Sequence, residues 1–93
     1  MHDAQYGQFV ARLKKLQETR RRNQQARNQI VQDLRQLAGP QAATPVDEPT
    51  VRERLKTLRD HDDRTAAEMR RAYDALDEVL DVRQQARFRV FEE

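Results

Sequence analysis

The chain has 93 residues, 37% of them hydrophobic and 37% charged, with a formal net charge of +2. A chain of this size buries about 60–65% of its unfolded surface, which excludes a thick core and leaves a lone protomer marginal. It contains no Cys, so disulfides, thiolate metal sites and cysteine nucleophiles are excluded as well.

So polar a composition borders on disorder, yet Gly and Pro number only two and three while Leu, Arg, Gln, Glu and Ala abound. That mixture fits long helices with narrow apolar stripes. No apolar run approaches the roughly 18 residues of a membrane span. Met1-His2-Asp3 lacks the basic and apolar regions of a signal peptide. Charge is uneven: residues 1–38 carry +5, residues 39–48 carry −2 and residues 49–93 carry −1.

The first predicted helix runs from about 4 to 38. Phe9, Leu13, Leu16, Ile30, Leu34 and Leu37 share one stripe, which passes through Arg20, Asn23 and Arg27 in its middle. Gly7 weakens the opening turns. Gly39-Pro40 is a helix stop, and residues 39–48 read as a linker. Asp47 is a candidate N-cap, with Pro49 in the first turn of a second helix, 49–80. Its stripe is Val51, Leu55 and Leu58, then Asp62 and Thr65 or Ala66, then Met69, Tyr73, Leu76 and Leu80. Both stripes are apolar at the ends and polar at the waist, which predicts an antiparallel hairpin. In that register Arg20 and Arg27 come near Asp60, Asp62 and Asp63.

Asp81 precedes Gln84 by the spacing of a capping box, in which the N-cap oxygen accepts from the N3 amide and the N3 side chain reaches back. Asp is a good N-cap and its charge suits a helix start. Leu80 to Gln84 therefore reads either as one helix ending where a third, 82–93, begins, or as one unbroken helix, since no Gly or Pro marks a break. In the third helix Phe88 and Phe91 lie on one face and Val82, Ala86 and Val90 on another. A helix apolar on two sides needs more than one neighbour, so a homodimer is expected.

Leu80, Asp81 and Gln84, followed by Ala86, Arg87 and Phe88, resemble the Leu-Thr-x-x-Gln signature of the Spy/CpxP (LTxxQ) family of small helical periplasmic proteins. Asp81 stands where that family prefers Thr, a swap that keeps an N-cap. The resemblance covers roughly 12 to 93, and its specific part is the last fifteen or so residues. It implies a periplasmic location, with a signal or membrane anchor outside this sequence, which then looks like a trimmed piece of a longer protein. It also implies a role in envelope or metal stress, as a chaperone or adaptor holding an unfolded or partner protein. A basic and apolar concave face would do the holding, with Arg20, Arg21, Arg22, Arg27, Met69, Tyr73 and Phe88 as its candidates here. For Met69 and Tyr73, packing within the hairpin is the preferred reading.

Other chemistries fare worse. With no Cys and no Ser, and with His2 at the terminus, no catalytic constellation stands out and no enzyme is expected. His61-Asp62-Asp63 beside Asp60 could offer ligands to a divalent transition metal. Yet residues three and four positions from His61 are Thr57, Leu58, Arg64 and Thr65, so a solvated charged turn is the preferred reading. No cofactor is expected, with His61 as the fallback ligand of a heavy-metal sensor. Lys14, Lys15, Arg20, Arg21, Arg22 and Arg27 form a basic stripe. The small net charge and the lack of a known module nevertheless argue against nucleic acid. A cytosolic basic coiled-coil hairpin binding protein or nucleic acid remains as an alternative. The expectation is an all-α, non-enzymatic binding module: an antiparallel hairpin with a bent third helix, dimeric.

Overall fold

The computed structural model describes residues 2–38 and 47–93. Among these the protein is 92% helical, with three helices and no strand. They are α1 (Asp3–Ala38), α2 (Glu48–Asp77) and α3 (Val82–Glu92). The expected stop at Gly39-Pro40 and most of the 39–48 linker lie outside the described residues. No helix of the described residues is long and apolar enough to cross a membrane.

Local chemistry sets the helix ends. Asp47 opens α2: its carboxylate accepts from the Thr50 hydroxyl at 2.7 Å, and its carbonyl accepts from the Val51 amide at 3.0 Å. Pro49 falls in the first turn, where its missing N–H costs nothing. At the far end α2 stops at Asp77, three residues before the expected Leu80. The Val79 and Leu80 amides bond back to Leu76 and Asp77 at 3.1 and 3.2 Å, three residues rather than four. Such tightening is a common way for a last turn to close.

The described residues fall into two compact units, Met1–Arg20 with Glu68–Glu93, and Arg21–Ala67. The first holds the apolar core: Leu16 and Leu76 are wholly buried, Leu80 and Phe88 nearly so, and Phe9, Leu13, Met69, Ala72, Tyr73 and Val79 pack around them. Its segments of α1 and α2 run antiparallel, since Gln5 bonds to Val79, Arg12 to Ala75 and Arg20 to Tyr73. In the second unit no described apolar side chain is fully buried; its buried residues are polar, Asn23 and His61. Arg27 pairs with Asp62 at 3.0 Å, and Gln24–Asn28 and Gln29–Asp33 bond one turn apart on the exposed face.

In their middles the stripes keep Asn23 buried and Thr65 half-buried as expected, and shift by one residue at two positions. Thr19 is buried where the spacing pointed to Arg20, and His61 where it pointed to Asp62. Leu55, expected inside, is 46% exposed, while its neighbour Arg54 is partly buried. From Val51, steps of three and four residues land side by side, and composition favours Leu55. An arginine can instead lay its aliphatic stem inward. Arg20 accordingly finds Tyr73 and Glu92 rather than the expected aspartates.

Candidate functional site

The α2–α3 joint is built from side chains that answer backbone groups. Asp81 N-caps α3: its carboxylate accepts from the Gln84 amide at 2.7 Å, and the Gln84 side chain accepts from the Asp81 amide at 3.0 Å. A terminating helix leaves carbonyls without partners. Here Arg12 donates to the Ala75 carbonyl, Gln85 to those of Asp77 and Leu80 at 3.2 and 3.0 Å, and Gln5 to that of Val79 at 2.7 Å. Gln5 also reaches the Gln84 side-chain oxygen at 2.9 Å. Neither Gln5 nor Gln85 stands out in the sequence, because an exposed-looking glutamine carries no periodic signal.

A second set of contacts fastens the last turns of α3. Arg20 donates to the Tyr73 hydroxyl at 2.8 Å and to Glu92 at 2.9 Å, and the Tyr73 hydroxyl donates to Glu92 at 3.1 Å. Arg89 grips Asp77 at 3.0 Å and lies 4.5 Å from the centre of the Tyr73 ring. The hydrogen bond to Glu92 raises the Arg20 pKa, and burial, then the bond to Glu92, raises that of Tyr73. Phe9 meets Phe88 edge-on at 5.8 Å.

These contacts leave an open apolar groove of about 550 Å³, lined by Phe9, Leu13, Leu80, Gln84, Arg87, Phe88 and Phe91. Phe91 is 84% exposed, and Val82 and Val90, 81% and 74% exposed, stand elsewhere on α3. Phe88 is buried, and part of it forms the groove floor. Lined mostly by apolar and aromatic side chains with a few polar groups, the groove has the make-up of a ligand or partner site.

The other candidates are dispersed. Arg20, Met69, Tyr73 and Phe88 belong to one compact unit; Arg21, Arg22 and Arg27 belong to the other. Met69 and Tyr73 pack against the core, Arg20 is tied to Glu92, and Arg27 is tied to Asp62. His61 is not in a solvated turn. It is buried, with Nε2 3.1 Å from the Asn23 carbonyl oxygen and 3.4 Å from the Thr65 hydroxyl. A helix carbonyl and a threonine are its neighbours because the seam turns this position inward. Among the described residues no three His, Cys, Asp or Glu side chains converge as a metal site would need.

No family model, no curated protein and no solved structure matches this chain.

Proposed function

We propose that the protein is a non-enzymatic binding module that holds apolar stretches of another polypeptide in the groove beside α3. One observation carries this reading: a helix whose inner face is anchored by a capping box and two arginine clasps still presents Phe91 outward in the lining of an open apolar groove, with Val82 and Val90 exposed elsewhere on it. Leaving such side chains in water is costly, and exposed apolar surface of this kind marks interaction sites. The resemblance of Leu80, Asp81 and Gln84 to the LTxxQ signature supports a periplasmic stress-response role, as chaperone or adaptor. The Val82–Val90 stripe is the available seat for a second protomer.

The test is aggregation of a chemically unfolded client, followed by light scattering with no metal added. Suppression by the protein, weakened by Phe91→Ala at unchanged helicity, supports the reading. No suppression at several-fold molar excess overturns it.

A further inference from the structure

We propose that the groove is selective for acidic segments: an apolar side chain of the bound polypeptide sits among Phe9, Leu13, Leu80, Phe88 and Phe91 while a neighbouring carboxylate pairs with Arg87. This rests on the binding role proposed above and adds the chemistry of the partner.

Charge at the groove rim sets the choice of partner. Four acids around the joint are already committed: Glu78 to Arg12, Asp77 to Arg89, Glu92 to Arg20, and Asp81 to the α3 cap. Arg83 and Arg87, one turn apart on α3, are both exposed and take part in no ion pair among the described residues. Arg87 itself lines the groove. An unpaired guanidinium at the edge of an apolar, partly desolvated wall favours an anion and disfavours a cation.

A second copy fits less well. Two α3 helices meeting antiparallel about a two-fold axis would set each Arg83–Arg87 flank against its own counterpart. An acidic segment meets the same flank with opposite charge.

The experiment uses the whole chain and fluorescence anisotropy with short labelled peptides containing Leu and Phe, identical except for Glu, Gln or Lys beside them. The Glu peptide should bind about five-fold tighter than the Gln peptide at low salt. Arg87→Gln should abolish that preference, and Arg87→Glu should transfer it to the Lys peptide. Because Arg87 is exposed, both variants should keep the helicity of the parent. Equal binding of Glu and Gln peptides, or an Arg87→Glu variant that still prefers Glu, overturns the charge selectivity and leaves the binding role standing. Failure of every peptide to bind overturns both.

Discussion

The Gln5 side-chain amide reaches the Gln84 side-chain oxygen at 2.9 Å, across 79 positions of sequence. Gln84 is therefore both the N3 partner of the Asp81 cap and the attachment point for the first turns of α1. Asp81→Ala should remove one half of the capping box and lower stability by about 1 kcal/mol, while Asp81→Thr should recover most of that. Urea midpoints at constant m-value give the comparison.

Burial separates two leucines that share one stripe in the sequence. Leu76 is wholly buried and Leu55 is 46% exposed. Leu76→Ala should cost about 2–5 kcal/mol, enough to unfold much of so small a protein, whereas Leu55→Ala should stay within about 0.5 kcal/mol. Thermal melts by circular dichroism distinguish the two. Equal losses would place Leu55 inside.

Tyr73 makes the protein sensitive to alkali. Burial, then its hydrogen bond to Glu92, raises its pKa in the folded state. The folded protein thus favours the protonated phenol. That stabilisation is complete below the unfolded value of about 10 and is lost as pH rises through the folded value. In a Tyr6→Phe background, absorbance of the phenolate should rise later than in a free tyrosine peptide. The melting temperature should fall over the same interval, and Tyr73→Phe should remove that part of the fall.

Gly7 lies inside α1, and a Cβ placed there would meet nothing within 4 Å. Gly7→Ala should therefore stabilise the helix by about 0.5–1 kcal/mol. A shift of the urea midpoint to higher concentration is the expected reading.

Salt separates self-association from acidic-partner binding. If two copies associate through Val82 and Val90, screening of Arg83 and Arg87 should strengthen the dimer as salt increases. Binding of an acidic peptide should weaken under the same conditions. Sedimentation velocity and anisotropy measured across one salt series give the two slopes.

The all-α class could be read from the sequence because the apolar residues at either end of each stripe recur at helical spacing. Phe9, Leu13, Leu16, Met69, Tyr73 and Leu76 do assemble in one cluster. The waist was harder. Where Leu gives way to Thr, Asn and His, steps of three and four are equally polar, so Thr19 and His61 passed for their neighbours Arg20 and Asp62. The pattern offered either a break or a continuous helix at Leu80–Gln84, and only the backbone geometry decides for the break. The groove was less legible still. Phe88 and Phe91 were visible as a pair, but the wall supplied by Phe9 and Leu13 depends on distant contacts such as Phe9 with Phe88, 88 − 9 = 79 positions apart, which no local pattern encodes.

The two compact units differ in how they are threaded. Arg21–Ala67 is one uninterrupted piece, whereas the other is assembled from Met1–Arg20 and Glu68–Glu93. The uninterrupted piece closes contacts 35 and 38 positions apart, whereas those of the divided piece run to 79, so its loops are the longer ones to close. Phe9, Arg12 and Arg20 meet Phe88, Glu78 and Glu92 only across such loops. The apolar core thus carries the larger loop-closure cost, and a chain cut before Phe88 should leave Phe9 without the ring it meets edge-on.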